Sequence, residues 1–437
     1  MGRRPAYRPL AVFLNGRRVG TLTREASGAI QFAYHADWLG WAPAMAVSLS
    51  MPLREMPYRG AVVSAVFENL LPDSEALRRQ VAERVGARGI GAFDLLSRIG
   101  RDCIGALQFL PEGEVPGVPG AIEGETVDGA AIERILNGLA RAPLGLRGDD
   151  DFRISVAGAQ EKTALLRHDG QWKRPFGTTP TTHLLKTRVG QLPGGIDLTD
   201  SVENEFYCLK LVEAFGLPVN VAWMETFGET QALVIERFDR LWARDGRLLR
   251  VPQEDLCQSL SVPPTLKYQG DGGPGAVDVL RVLEGSDRPT EDRERFLKTL
   301  VIFWLIGAPD GHAKNYSLFL RPGGGYAATP VYDVLSGQPA LDAGQVRHGQ
   351  FRMAMSLGDR RHYRFDAVTG RHFVQTAVAG GLSAERARAL VEAVAEAVPE
   401  ALEGARAVLP AGFPEALVAS VEAGVRARLG RLTIAAP

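Results

Sequence analysis

Short apolar runs separated by turn residues open the chain. Residues 10–14 and 20–23 flank Asn15-Gly16, a dipeptide that favours a tight hairpin, and residues 30–34 continue the strand pattern. A helix is predicted over 68–85 and a further strand over 103–110. From Pro111 to Gly120 proline and glycine recur without an apolar period, which predicts a boundary. A helical segment near 130–140 follows. Strand signals then return at 154–156, 163–167 (closed by the turn Asp169-Gly170), 183–186 and 232–236. One helix interrupts them at 202–215, with Asp200 and Glu203 at capping-box spacing and Gly216 and Pro218 as its stop. Beyond Leu241 the pattern is mainly helical. Phe296, Leu297, Leu300, Val301, Trp304 and Leu305 mark a buried helix capped by Thr290 and ended by Gly307, and 383–408 and 413–432 are two more.

This order predicts a bilobed α+β enzyme, which the phosphoryl-transfer motif described next makes protein-kinase-like: an N-terminal subdomain over 1–112, a linker and helical segment over 113–150, a sheet-rich small lobe over 151–240 and a helical large lobe over 241–437. With 437 residues, 45% apolar and 23% charged, the chain can bury substantial cores. The longest strongly apolar stretch, 300–306, falls far below the ~18 residues that suggest a membrane span, and no signal peptide is evident, so a cytoplasmic protein is expected. Three widely spaced cysteines, Cys103, Cys208 and Cys257, fit reduced thiols better than a disulfide frame or a zinc site. The net charge of −1 gives no global pull toward nucleic acid or membrane.

The richest chemistry lies in Pro309-Asp310-Gly311-His312-Ala313-Lys314-Asn315 and in Asp333, 18 residues after Asn315. In phosphoryl transfer one Asp orients the attacking hydroxyl, an Asn five residues on holds magnesium, and a later Asp holds the metals that bridge the phosphates. Asp310, Asn315 and Asp333 fit those roles. Strands over 316–320 and 326–332 around the turn 322–325 would bring Asn315 back beside Asp333, so that two hard oxygen ligands suit magnesium. Taken alone, each motif has a plainer reading: Asp-Gly is commonly a turn and a single His commonly structural.

On the nucleotide side, the small residues of Ser155-Val156-Ala157-Gly158-Ala159-Gln160-Glu161-Lys162 would let backbone N–H groups approach phosphate oxygens. Lys186, at a strand end, can neutralise phosphates while an acid on the next helix, Glu203 or preferably Glu205, holds its ammonium. The connector Glu236-Arg237-Phe238-Asp239 offers Glu236 and Phe238 as adenine contacts; the competing reading of Arg237 and Asp239 is a pair of surface ion partners on a linker.

Taken in order, Arg153 to Thr163, Glu236 to Arg240, Gln253 to Gln258, Asp310 to Asn315 and Tyr332-Asp333 resemble the HipA family of bacterial serine/threonine kinases, the toxin halves of toxin-antitoxin pairs. Residues 10–20 and 100–106 are similar to that family's N-terminal subdomain, so the likeness covers nearly the whole chain. The resemblance implies a protein kinase using ATP and Mg2+. Asp310 is then the base, Asn315 and Asp333 the metal ligands, and Lys186 the phosphate partner. His312 and Lys314 touch nucleotide or transferring phosphate, with Ala157, Gly158, Ala159, Gln160, Lys162, Glu236, Arg237, Phe238 and Tyr332 among the nucleotide contacts. It further implies an aminoacyl-tRNA synthetase as substrate, with translation arrest, growth inhibition and persistence. Self-inactivation would come from autophosphorylation at Ser155, and neutralisation from a helix-turn-helix, HipB-like antitoxin. Operator DNA would be bound mainly through that partner, since Val378-Ala379-Gly380-Gly381 is uncharged. Asp precedes His here, and no Asp-Phe-Gly is present, as is usual in this family. Two alternatives stay open: a small-molecule or lipid acceptor, and a catalytically silent corepressor partner.

Overall fold

The computed structural model describes residues 7–146, 154–155, 160–192 and 194–433. The chain forms two compact units, one of residues 1–187, 225–265 and 318–325, the other of 188–224, 266–317 and 326–437.

The first unit holds two larger antiparallel sheets. In one, strands run in the order Tyr58–Arg59, Ile30–Tyr34, Arg17–Arg24, Leu10–Leu14, Leu107–Pro111. Asn15 and Gly16, both with positive φ, make the expected tight turn. The helix predicted over 68–85 is instead two, Ala61–Glu68 and Glu75–Val85, because Pro72 cannot continue a helix and Ser74 caps the second through Leu77 N–H. The strand predicted over 103–110 is likewise split into Asp102–Cys103 and Leu107–Pro111, with Gly105 turning at φ 75° between them. Leu10, Phe32, Trp38, Phe67 and Phe109 share a core with Leu144, Leu146, Ile154 and Ala164, from beyond the Pro/Gly run at 111–120.

The second sheet orders Ala222–Phe227, Thr230–Glu236, His183–Lys186, Lys162–His168, Gln171–Pro175 and Gly124–Thr126. Its register sets Lys186 directly opposite Lys162, and both are buried. Directly opposed residues share a face, so two ammonium groups rise from the same side of this sheet.

The second unit is built around helix Pro289–Ile306, buried almost continuously from Phe296 to Ile306 and packed by Ala276–Glu284, Ala384–Ala407, Glu415–Leu429 and Ser201–Ala214. Gly307 ends it in the left-handed conformation, as its sequence predicts. Thr290 is not the cap. Pro289 already occupies the first turn, where its missing N–H costs nothing, and Glu291 and Asp292 favour the positive helix end. The Asp200–Glu203 capping box also fails to form: Asp200 makes no side-chain cap bond, and Glu203 accepts from Arg188 at 2.6 Å. No described helix is long and apolar enough to cross a membrane.

Candidate active site

The second unit gathers the residues of the Asp310 loop. Helix Pro289–Ile306 stops at Gly307, and the chain turns so that His312 N–H donates to the Asp310 carbonyl (2.8 Å) and Asn315 N–H to the His312 carbonyl (2.9 Å). Asn315 closes the loop a second time, its Nδ2 donating to the Asp310 carbonyl at 2.7 Å. Gly311 is required by packing: a Cβ there would lie 2.9 Å from a Phe303 ring carbon. Between these anchors the Asp310 carboxylate stays half exposed at 51%, while His312, Lys314 and Asn315 are buried.

Asp333 is delivered from the other side. Strands Ser317–Leu320 and Tyr326–Ala328 flank the turn, and Thr329 N–H reaches the Ser317 carbonyl at 3.0 Å. The returning strand is shorter than the 326–332 predicted, because Val331 pairs with Val219 instead. Tyr332 hydroxyl donates to the Lys314 carbonyl (2.9 Å) and lies 2.6 Å from Ser317 Oγ, tying the segment before Asp333 to the Asp310 loop. Ser336 N–H and carbonyl are both held by the Asn204 side chain. Held between these ties, Asp333 adopts φ 59°, a left-handed backbone that side chains with a Cβ adopt at a cost.

His312 is held below its ordinary pKa, first by burial and then by Lys267, against the opposing pull of Asp310 and Asp333. It is therefore a neutral imidazole near pH 7. Its Nε2 sits 3.8 Å from Asp310 Oδ1, and its buried Nδ1 has no hydrogen-bond partner among the described residues. A residue not singled out in the sequence also belongs here: Tyr268 donates its hydroxyl to Asp310 Oδ1 and lies edge-on to His312. Its position before the buried helix, far from the motif in sequence, carries no signal of that contact.

The nucleotide-side candidates lie in the first unit. Lys162 and Lys186 oppose each other as described, and Gln160 Nε2 donates to the Thr187 carbonyl at 2.7 Å. Ala157, Gly158 and Ala159 lie outside the described residues. Ser155 is buried, and its hydroxyl donates to the Leu70 carbonyl at 2.7 Å. Glu236 is exposed, and the Phe238 ring meets Phe319 at right angles, 5.6 Å between centroids. Glu205 is buried on helix Ser201–Ala214 of the second unit.

Arg237 turns inward. Its N–H donates to the Thr182 carbonyl and its guanidinium is spent inside the protein: Nε and Nη2 on the Asp239 carboxylate (3.0 and 2.9 Å), Nη1 on Thr181 Oγ1, Nη2 also on the Cys103 carbonyl. The surface ion pair considered for Arg237 and Asp239 is in fact interior, part of a cluster with Asp102, Arg240 and Arg250 whose charged side chains are all 4% exposed or less. Burial alone would raise the Asp102 pKa, but Arg240, Arg250, Arg237 and the Thr181 N–H hold it well below the usual carboxylate range. The cluster fastens the connector after Glu236 to strand Asp102–Cys103.

Comparison with known proteins bears on both parts of the chain. The family model of the HipA N-terminal domain matches residues 10–110, and that of the HipA-like C-terminal domain matches residues 154–402. The chain is 36% identical over 402 residues to "Putative kinase Y4mE" of Sinorhizobium fredii, covering 91% of this chain and 92% of that one. It is 28% identical over 422 residues to the serine/threonine-protein kinase toxin HipA of Shewanella oneidensis, covering 92% and 90%. Among solved structures, the Shewanella oneidensis complex of HipA, HipB and operator DNA aligns over 97% of both chains with a TM-score of 0.79 at 24% identity, which shows a shared fold. That fold is the α+β, kinase-like one expected from the sequence. Since one family model alone spans more than half of the sequence, and a relative is alike over nine-tenths of both lengths, the chain belongs to the HipA family of kinases.

Proposed function

We propose that this chain is an ATP- and magnesium-dependent serine/threonine kinase that transfers the γ-phosphoryl group to a cellular protein. The observation that carries this reading is the half-exposed Asp310 carboxylate in a loop closed by Asn315, with Asp333 anchored alongside by Tyr332. Asp310 would take the proton of the acceptor hydroxyl. The donor set fits a hard cation: because Asn315 commits Nδ2 to the Asp310 carbonyl, its Oδ1 is the end left for a metal, and the Asp333 carboxylate is a second oxygen ligand. Bound there, magnesium would neutralise charge on the phosphates. In the first unit Lys162 and Lys186, opposed on one face of the sheet, would balance phosphate charge. His312, neutral and with Nδ1 still owed a partner, would donate or accept a hydrogen bond at the phosphates without adding charge, while Lys314 supplies a cation.

The relative named as a serine/threonine-protein kinase toxin, and the fold shared with a chain solved beside HipB and operator DNA, support a toxin role with a helix-turn-helix antitoxin as partner. We extend the proposal to a cytoplasmic aminoacyl-tRNA synthetase as the phosphorylated protein, with growth arrest and persistence as the outcome, and to autophosphorylation at Ser155 as the off-switch. Since Ser155 is buried against the Leu70 carbonyl, modification requires strand Ile154–Ser155 to leave its place.

The test combines transfer and binding. Incubated with labelled ATP and cell lysate, the chain should label protein, and Asp310→Asn should abolish this while binding magnesium-ATP nearly as tightly by calorimetry. Asp333→Asn should weaken only the magnesium-dependent part of binding. Label confined to small molecules, or equal loss of binding in both variants, sinks the assignment.

A further inference from the structure

The loop before helix Ala276–Glu284 reaches the Asp310 carboxylate. Tyr268 donates its hydroxyl to Asp310 Oδ1, the same oxygen that faces His312 Nε2 at 3.8 Å. Its ring stands edge-on to the His312 ring, 4.9 Å between centroids at 81°. The neighbouring Lys267 carbonyl accepts Ala313 N–H at 3.3 Å, so main chain and side chain of one dipeptide both grip the catalytic loop.

Tyr268 is held from behind. Its carbonyl accepts N–H groups from Asp271 (3.1 Å) and Gly273 (3.0 Å), a tight turn that only glycine allows, since a Cβ on Gly273 would fall 1.8 Å from the Leu266 carbonyl oxygen. The Gln269 side chain next door accepts Ser356 N–H at 2.6 Å. The tyrosine is thus a fixed strut set against a half-exposed carboxylate.

A carboxylate at the end of an aspartate rotates broadly about its last bond. A base that must meet a hydroxyl in line with phosphorus loses rate when its oxygens wander. We propose that Tyr268 is a positioning residue of phosphoryl transfer: it fixes Asp310 Oδ1 and so reserves Oδ2 for the acceptor. The acceptor proton passes to Oδ2 as the acceptor oxygen bonds the γ-phosphorus and the bond to the departing ADP oxygen breaks. This rests on the reading of Asp310 as the base.

Tyr268→Phe isolates the hydroxyl, because the ring and its contact with His312 remain. Its kcat should fall about 10- to 100-fold, with KM for ATP and the unfolding midpoint unchanged. A packing role alone would leave kcat intact in Tyr268→Phe and appear only in Tyr268→Leu, as lost stability. The contact itself is read without activity: in protein labelled with 3-fluorotyrosine, the fluorine resonance that disappears in Tyr268→Phe should shift in Asp310→Asn. Full or increased activity of Tyr268→Phe, or a resonance indifferent to Asp310→Asn, overturns the inference. Undiminished transfer by Asp310→Asn would instead overturn the base assignment, leaving the fluorine spectra to decide the contact.

Discussion

The side chain of Asn315 and the main-chain carbonyl of Asp310 are joined by a 2.7 Å hydrogen bond across five residues of chain, so one amide closes the Asp310 loop through its nitrogen. Removing it should therefore do two things at once. Asn315→Ala should lower transfer by about 100-fold or more through the lost ligand, and cost about 1 kcal/mol of stability through the lost hydrogen bond. Steady-state rates against magnesium concentration and urea unfolding check the two effects separately. Asn315→Asp keeps an oxygen but loses the donor, and should recover metal dependence without recovering the full rate.

Asp333 combines a left-handed backbone with its proposed place as a metal ligand. Its φ of 59° is one that glycine reaches with no Cβ penalty. Asp333→Gly should raise folding stability by about 1 kcal/mol while eliminating magnesium-dependent nucleotide binding. Thermal unfolding and calorimetry with and without magnesium measure the pair; a variant that loses both stability and binding would mean the carboxylate holds the fold as well as the metal.

Asp102 is the hub of the interior cluster, accepting from Arg240 at 2.8 Å, Arg250 at 2.9 Å and Thr181 Oγ1 at 2.7 Å. Asp102→Asn leaves buried guanidiniums short of a counter-charge and should cost about 3–5 kcal/mol, read as a lower denaturant midpoint. The same change in Asp366, which meets Arg364 at an exposed site, should cost far less.

Glu254 sets a pH dependence. Burial raises its pKa from 4.5 to about 8, even though Ser48 and the Leu49 N–H pull the other way. Between those values the folded protein holds a proton that the unfolded chain has lost. Its contribution is therefore complete below about pH 4.5 and falls away as pH rises through about 8, on the order of a few kcal/mol. Glu254→Gln keeps an oxygen for Leu49 N–H, now 2.8 Å from Oε1, and should flatten that decline in urea melts run from pH 5 to about 9. An unchanged slope would show that Glu254 is ionised in the folded chain.

Much of this protein is written locally. The Asn15-Gly16 turn, the strand at His183–Lys186, the helix ending at Gly307 and the spacing of Asp310 and Asn315 depend on residues near one another in the chain, so backbone sterics and periodicity reveal them. The joint order of the motifs sufficed to point to the HipA family. What sequence could not reveal depends on partners distant in the chain. Glu203 was free in sequence to cap a helix, but Arg188 offered it a full charge. Arg237 and Asp239 read as surface ion partners until Asp102, 135 residues from Arg237, met that guanidinium in the interior. Tyr268 gained its place beside Asp310 only when a glycine turn brought it across 42 residues. A side chain's propensity is set by its own chemistry, whereas the charge and hydrogen-bond partner that decide its role are chosen by folding, which desolvates polar groups and leaves them only the partners that tertiary packing supplies.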